Sequence, residues 1–391
     1  MKKIIASEKK PIKLWLEDIE PQALAQARNL ANLPFIFSHV AIMPDAHVGY
    51  GMPIGGVLAT TGVVIPNAVG VDIGCGMGAV KTSLRQLSSE TLQATLAEIR
   101  KRVPVGSKHH QRRQDAALMP QPPPGFRLKH LPVISREYEN ARTQLGTLGG
   151  GNHFIEIQKG SDGFIWLMLH SGSRNLGFKV ANHYNQLAIK INQRLGSAIP
   201  SAWQLAFLEL ESEAGRNYLA EMNYCVAFAY ANRLLMMAQI QEALRNLQPQ
   251  TTFAELINIA HNYAAREKHF GHEVMVHRKG ATRARVDEIG IVPGSQGSPS
   301  YIVKGLGNPE SFLSCAHGAG RVMGRKEAQR RLNFDGERKK LEDQGIIHSL
   351  RRPLDLDEAA GAYKNIDQVL DNQKDLVEVL VELRPLAVIK G

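Results

Sequence analysis

Long apolar runs and cysteines are both scarce in this chain. Its 391 residues include three cysteines, Cys75, Cys225 and Cys315, an odd and small set that cannot form a disulfide framework. No apolar run approaches the roughly 20 residues that cross a bilayer, and Lys2 and Lys3 precede too few apolar residues for a signal peptide. We therefore expect a cytoplasmic protein with reduced thiols and no membrane attachment.

Acidic residues are also few relative to basic ones. Lys and Arg total 47 against 37 Asp and Glu, and the formal net charge of +10 favours a polyanionic partner. Residues 100–130, the basic segment, hold eight Lys or Arg residues, a single acid at Asp115 and three consecutive prolines. We expect much of this segment to be an exposed loop, and its charge fits either a solvated surface or a track for a phosphate backbone.

The spacing of glycines and apolar residues predicts the fold class. Nine glycines fall within residues 49–78, a density that a helix would not tolerate, so short strands and loops are expected there. Helices are predicted at residues 21–32, 89–102 and 136–145 and over much of 201–247, with strands again after residue 261. With no repeat and no long linker, the chain is predicted to be α+β: a single large domain over residues 1–391, with mixed or antiparallel sheets and a helical middle segment.

Asp72 and Cys75 are three residues apart in a glycine-rich segment. Carboxylates and thiolates bind divalent metals, and a thiolate sulfur can bridge two cations. Metal binding would keep Cys75 deprotonated at neutral pH. A small buried thiol would explain the same residue without a metal, as we expect for Cys225, which lies in an apolar helical run.

Four histidines are the other candidates for chemistry. His153, His170 and His261 lack the i, i+4 pairing that puts two ligands on one helix, so a hydrogen-bonded core histidine is the default explanation of each, with a metal ligand as the alternative. His317 lies in a segment of small residues that leaves its imidazole room to meet a phosphate. It is our candidate nucleophile, with a further metal ligand or a phosphate-binding donor as the alternatives.

A third group of residues suits nucleotide contacts. Asn152 and Glu156 flank His153, and Ser295 and Ser300 lie in a loop at residues 294–300. Lys390 is the penultimate residue; such a residue is ordinarily a solvated charge, but the apolar run at residues 386–389 suggests a docked terminus.

Asp45 and His47 belong to the segment PDAHVG at residues 44–49. A turn with a hydrogen-bonded Asp–His pair and a position near the metals or the nucleic acid are equally good readings of these two residues.

Three segments together resemble the signatures of the RtcB RNA-splicing ligases. They are VGVDIGCGM at residues 69–77, GTLGGGNHFIE at 146–156 and SCAHGAGRVM at 314–323. The resemblance runs from residue 11 to residue 391, with Ala46 where the family usually has Val. It implies an RtcB-like fold and a GTP-dependent ligase that joins RNA 3′-phosphate or 2′,3′-cyclic phosphate ends to 5′-hydroxyl ends in tRNA splicing or RNA repair.

The resemblance also implies roles for the candidate residues. His317 would become covalently guanylylated, Lys390 would contact the guanine nucleotide, and GTP and two Mn²⁺ ions would be the cofactors. The implied metal ligands are Asp72, Cys75, His153, His170 and His261. Manganese is inherited from the family, since Cys and His by themselves favour zinc or softer metals.

The implied partner is RNA with broken or cleaved ends. An activating protein is left open, and a monomer is expected. A metal-dependent phosphoesterase, a paralogue acting on another nucleic-acid 3′-phosphate end and a non-catalytic RNA-binding paralogue are the alternatives. Simple hydrolysis would not need His317 with its loop, and the alignable metal and nucleophile positions are all intact.

Overall fold

Strands dominate both ends of the chain. The computed structural model describes residues 1–391. The strands are β1 (Lys3–Ile5), β2 (Ile12–Leu14), β3 (Ile36–His47), β4 (Ile54–Thr60), β5 (Val63–Val64), β6 (Gly76–Lys81), β7 (Phe154–Gly160), β8 (Ile165–Ser171), β9 (Leu208–Glu209), β10 (Ile257–Ala260), β11 (Asn262–His269), β12 (His272–Lys279), β13 (Ala281–Arg283), β14 (Ile289–Val292), β15 (Ser300–Gly305), β16 (Ser314–Ala316) and β17 (Val377–Lys390).

Helices concentrate in the middle of the chain. They are α1 (Pro21–Ala31), α2 (Ser89–Arg102), α3 (Pro132–Gln144), α4 (Arg174–Arg194), α5 (Glu213–Leu247), α6 (Arg325–Arg331), α7 (Phe334–Asp343) and α8 (Ile366–Asp371). Local signals fix several helix starts: the side chains of Ser88 and Ser212 accept hydrogen bonds from the first turns of α2 and α5, and a proline opens α1 and α3. None of the helices is both long and apolar enough to cross a membrane.

Two large sheets organise the strands. One has six strands in the order β1-β2-β3-β4-β12-β11, and the other has seven in the order β10-β6-β8-β7-β17-β15-β14. All pairings in them are antiparallel except β2 with β3. The predicted α+β class with mixed or antiparallel sheets and a helical middle is confirmed, while the extent of the domain over residues 1–391 stays a prediction.

The helical middle packs as a core. Met222, Cys225 and Phe228 of α5 are fully buried in the largest apolar cluster, together with Tyr184 of α4. Cys225 is thus a packed core residue, as the apolar run around it predicted. Met236 of α5 is buried in a second apolar cluster, where it fills space between the helix and the sheet.

Several boundaries differ from the predictions. The sequence predicts a strand at residues 39–43 and a helix that begins after Gly177; in the structure β3 continues to His47, and α4 begins at Arg174. β6 was not predicted at all, because its sequence Gly-Met-Gly-Ala-Val-Lys has weak strand propensity. It forms between β10 and β8, where the lack of a side chain at Gly76 lets the Ile259 carbonyl approach closely.

The basic segment is largely the exposed loop that its composition predicted. Its first residues complete α2, and the remainder is irregular chain with two short 3₁₀ turns. Arg112, Arg113, Arg127 and Lys129 are all exposed.

Candidate metal and nucleotide site

One edge of the seven-stranded sheet gathers four of the predicted ligands. Cys75 directly precedes β6, His153 directly precedes β7, His170 lies near the end of β8 and His261 follows β10. These strands are neighbours in the order β10-β6-β8-β7, and their registers pair Ala260 with Gly76, Met77 with His170, and His170 with Phe154. Residues far apart in the sequence therefore meet at one edge of the sheet.

The side chains at this edge form a continuous chain of donor atoms. Cys75 Sγ lies 3.4 Å from His153 Nε2 and 3.2 Å from His170 Nε2. His153 Nε2 is also 3.2 Å from Asp72 Oδ2, and His170 Nε2 is 3.4 Å from His261 Nε2. The structure thus brings together all five residues for which a metal role was predicted; the role itself stays a prediction.

The protonation states of these side chains suit a cation. The Asn152 carbonyl can only accept a hydrogen bond, so the 3.1 Å contact places the proton of His170 on Nδ1 and leaves a lone pair on Nε2. Burial lowers the pKa of His170 and of His261 well below its usual range, which keeps both rings neutral. Burial, with Asp72 nearby, raises the pKa of the Cys75 thiol well above its usual range, so a thiolate there needs a cation beside it.

Buried polar side chains hold the loops of this edge in place. The Asn232 side chain accepts hydrogen bonds from the backbone N–H groups of Gly146 and Thr147 and donates to the Gly172 carbonyl. Arg233, fully buried, donates to the carbonyls of Gly74 and Ser171, both at 2.9 Å. Helix α5 therefore fixes the positions of three ligand-bearing loops at once.

Close packing of backbone against the ligands explains two of the glycines. A β-carbon at Gly172 would collide with the Asp72 carboxylate, and one at Gly149 would collide with the His153 ring. Any larger residue at either position would displace a predicted ligand.

His317 lies beside the cluster. It follows β16, and its ring centroid lies 4.7 Å from that of His261. Its Nδ1–H donates to Asp45 Oδ2 at 2.6 Å, and its backbone N–H donates to the same oxygen at 3.2 Å. Since Asp45 is fully buried, the carboxylate fixes the ring and leaves the lone pair on Nε2.

The carboxylate of Asp45 therefore pairs with His317 and not with the nearby His47. His47 Nδ1 lies 3.0 Å from the backbone carbonyl of Asp45 rather than from its carboxylate. The predicted Asp–His hydrogen bond is therefore present, but through the Asp45 backbone and within β3 rather than in a turn, while the Asp45 carboxylate binds His317. Sequence alone gave no signal for the contact, because 272 positions separate the partners.

A cavity of about 810 Å³ opens beside His317 and receives residues from both sheets. Asn152, Glu156, Ser295 and Lys390 line it, as does His47. Burial raises the pKa of Glu156 to about 8, although the nearby Lys390 opposes this shift. Burial also lowers the pKa of Lys390, which sits on β17 directly opposite Phe154 of β7.

Ser300 has a different position. Its hydroxyl oxygen accepts hydrogen bonds from the Gly294 N–H at 3.2 Å and from Gln158 Nε2 at 3.3 Å, and it does not line the cavity. Ser300 thus supports the loop that carries Ser295; a direct nucleotide contact by Ser300 stays a prediction.

A cationic cluster on the cavity wall was not fully predicted. Glu358, only 4% exposed, accepts from Arg321 and Arg325 at 3.0 Å each and lies 3.7 Å from Lys390 Nζ. The hydroxyl of Tyr363 donates to the same carboxylate. Three cations around one carboxylate leave excess positive charge for a polyphosphate. Glu358 lies in a segment without any motif, so no pattern in the sequence pointed to it.

The chain is similar in sequence to known proteins. A family model described as "tRNA-splicing ligase RtcB" matches residues 26–121 and 126–391. The chain is similar to "RNA-splicing ligase RtcB" of Escherichia coli (strain K12), with 40% identity over 99% of each chain. It is also similar to proteins described as "tRNA-splicing ligase RtcB" from Archaeoglobus fulgidus (32% identity, 96% of this chain, 92% of that protein) and Thermococcus kodakarensis (31% identity, 95% and 92%).

Proposed function

Since this chain belongs to the RtcB family of RNA-splicing ligases, we propose that it is an RNA ligase that joins a 3′-phosphate or 2′,3′-cyclic phosphate end to a 5′-hydroxyl end through a histidine–GMP intermediate. The observation that carries the intermediate is the imidazole of His317, fixed by a buried carboxylate beside the donor cluster and the cavity. The alternative function, a metal-dependent phosphoesterase, would not need a histidine fixed in this way.

Metal binding is assigned to the donor cluster. Asp72, Cys75, His153, His170 and His261 offer one carboxylate, one thiol and three imidazoles in a chain of contacts, and a Cys75 thiolate in the middle of this chain could be shared between two ions. Two Mn²⁺ ions bound there would supply positive charge to the transferring phosphoryl group. Manganese itself rests on the family, because this donor set also suits zinc.

His317 would carry the covalent chemistry. Its Nε2 lone pair attacks the α-phosphorus of GTP, an N–P bond forms, and pyrophosphate leaves with the electrons of the broken P–O bond. The Asp45 carboxylate holds the Nδ1 proton and offsets the positive charge that the ring gains. The GMP group then passes to the RNA 3′-phosphate, and the 5′-hydroxyl displaces GMP. A cyclic phosphate end is first opened by water.

The cavity beside His317 suits GTP. Arg321, Arg325 and Lys390 offer positive charge for the phosphates, with Glu358 holding them in place. Glu156 suits the edge of guanine, because its ionised carboxylate can accept hydrogen bonds from both the N1–H and the amino group.

This assignment predicts a pH dependence for GTP binding. With the pKa of Glu156 raised to about 8, the free protein holds this carboxyl largely protonated at pH 6, and guanine binds the ionised form. One proton leaves on binding, so GTP affinity should rise with pH towards 8, by up to about tenfold per unit. The measurement is calorimetric GTP affinity across this range for wild type and Glu156→Gln.

ATP provides the control for that experiment, because adenine presents an acceptor at N1 where guanine presents a donor. The Gln variant should bind GTP more weakly and lose the rise with pH. An unchanged pH profile in Glu156→Gln would remove this residue from guanine recognition.

The basic segment is the proposed RNA track. Replacing Arg112, Arg113, Arg127 and Lys129 by Ala should weaken RNA binding and flatten its salt dependence, since each single-strand phosphate contact contributes about 0.7 to the slope of log affinity against log salt. The measurement is RNA affinity over a salt series.

The matched control for this quadruple variant removes the same charge elsewhere, at the exposed residues Lys2, Lys3, Lys9 and Lys268. Covalent labelling of His317 should survive in both variants. Equal slopes for the two would identify the basic segment as solvated surface, and lost labelling in the first would mean that it supports the nucleotide cavity.

The direct test of the overall function is a joining assay. Purified protein with GTP and Mn²⁺ should convert an RNA 3′-phosphate end and a 5′-hydroxyl end into one longer strand, with no joining when GTP is omitted. Release of inorganic phosphate without joining would favour the phosphoesterase instead. Joining by the purified protein alone would show that no activating partner is needed.

A monomeric state and a cytoplasmic location stay predictions.

A further inference from the structure

A second cavity, of about 760 Å³, lies next to the proposed catalytic cavity. None of its 17 lining residues is Asp, Glu, Lys, Arg or His, although charged residues make up 21% of the chain. Side-chain amides line it instead, and we call it the amide groove. The amides belong to Asn67, Asn182, Asn185, Asn192, Gln193 and Gln204.

Two aromatic rings also line the amide groove. Tyr50 is 70% exposed and Phe178 is 47% exposed, so both rings are available to a ligand. The Oδ1 atom of Asn185 is shielded from solvent and has no hydrogen-bond partner. The Asn192 side chain is occupied, since it donates to the Phe207 carbonyl and accepts from the Phe207 N–H. The exposed amides of Asn182, Gln193 and Gln204 offer both donors and acceptors, and with the exposed rings they suit planar heterocycles better than charged groups.

Helix α4 places a basic stripe beside the amide groove. Phe178, Asn182, Asn185 and Ile189 line the groove at steps of four, three and four residues, which is one face of a helix. Lys179 and Lys190 each follow a groove residue and are therefore turned by about 100° from that face. Both are exposed, and the 21 residues of α4 include no Asp or Glu.

The amide groove borders the catalytic cavity. Tyr50 lines both of them. The ammonium group of Lys279 donates to the backbone carbonyls of Tyr50 at 2.5 Å and Asn67 at 2.9 Å, which fastens the two loops between the cavities. Val71 lines the groove and immediately precedes the predicted metal ligand Asp72.

We propose that the amide groove binds the unpaired bases of the single-stranded RNA next to the end being joined. Bases stack on Phe178 and Tyr50 and pair their edges with the amides, while the sugar–phosphate backbone runs along Lys179 and Lys190. This inference rests on the proposed function, because it takes RNA as the substrate. It adds contacts to the bases, whereas the basic segment would act on phosphates.

The test compares Phe178→Ala with wild type in binding to single-stranded RNA, without GTP. One RNA carries all its bases, and the other is abasic at the nucleotides next to its 3′-phosphate or 5′-hydroxyl end. A stacked base contributes about 1–3 kcal/mol, so Phe178→Ala should weaken binding of the intact RNA by about 5- to 150-fold. Binding of the abasic RNA should already be weak and should not weaken further.

Phe270→Ala is the matched control, since Phe270 is equally exposed at 47% and lies in the turn between β11 and β12. It should bind both RNAs as wild type does. Asn182→Asp is a second variant that introduces a negative charge with little change of shape, and it should also weaken binding of the intact RNA.

Three outcomes overturn the proposal: unchanged affinity of both groove variants for intact RNA, equal losses for intact and abasic RNA, or an equal loss in Phe270→Ala. The first would leave the groove to a protein partner. Labelling by GTP, measured in parallel, separates this proposal from the catalytic one. Absence of labelling in wild type would contradict the histidine–GMP intermediate and leave the base-binding result intact.

Discussion

RNA joining should fall below detection in His317→Ala. The substitution removes the only group proposed to form the bond to GMP, so no other residue can take over the first step. Deletion of a nucleophile typically slows catalysis by several orders of magnitude, about 10⁶-fold. We expect the rate of joining to fall at least that far. The measurement is the yield of joined strand with GTP and Mn²⁺ present.

Two variants make this result specific. His317→Asn keeps a side-chain N–H that can donate to Asp45 and should be equally inactive, which separates the nucleophile from its structural contact. His272→Ala alters an exposed histidine at the first position of β12 and should join RNA as wild type does. Joining by either His317 variant in a folded protein would move the nucleophile to another residue.

Cys75→Ala should lower metal content and joining together. The thiol contacts two of the predicted histidine ligands, so its loss disturbs both proposed ion positions. Loss of a residue that merely orients a ligand already costs about 10- to 100-fold in metal affinity, and loss of the shared ligand should cost more. Metal analysis of the purified variant and titration of activity with Mn²⁺ give the two readouts.

Cys225→Ala is the matched control for that experiment, because Cys225 is also a fully buried thiol but packs in the apolar core of α5. It should lose about 1 kcal/mol of unfolding free energy and keep its metal. A folded Cys75→Ala protein with full metal content would show that the thiol is not a ligand.

The sequence predicted the classes of element better than their arrangement. Helices α2 and α5 could be found because their caps and apolar spacing are local. β6 could not, because a glycine-rich strand is favoured only by its neighbours β10 and β8 and by the close approach that Gly76 allows. Strand order in the seven-stranded sheet depends on contacts between distant residues, which no local pattern encodes.

The candidate site shows the same division. Residues in glycine-rich motifs, such as Asp72, Cys75 and His317, could be selected from the sequence and its resemblance to a family. Asp45 could be placed near the site but not paired with His317, and Glu358 was missed. Both are buried carboxylates that act through other side chains, and their partners are set by the packing of the two sheets.

The most direct test of the covalent intermediate is the location of the label left by α-labelled GTP. Trypsin cleavage after Lys304 and Arg321 releases residues 305–321, in which His317 is the only histidine. The histidine–GMP account predicts label from α-labelled but not γ-labelled GTP, confined to this peptide and lost in acid, as expected of a phosphoramidate. Label on another peptide, or none in protein that joins RNA, would contradict it.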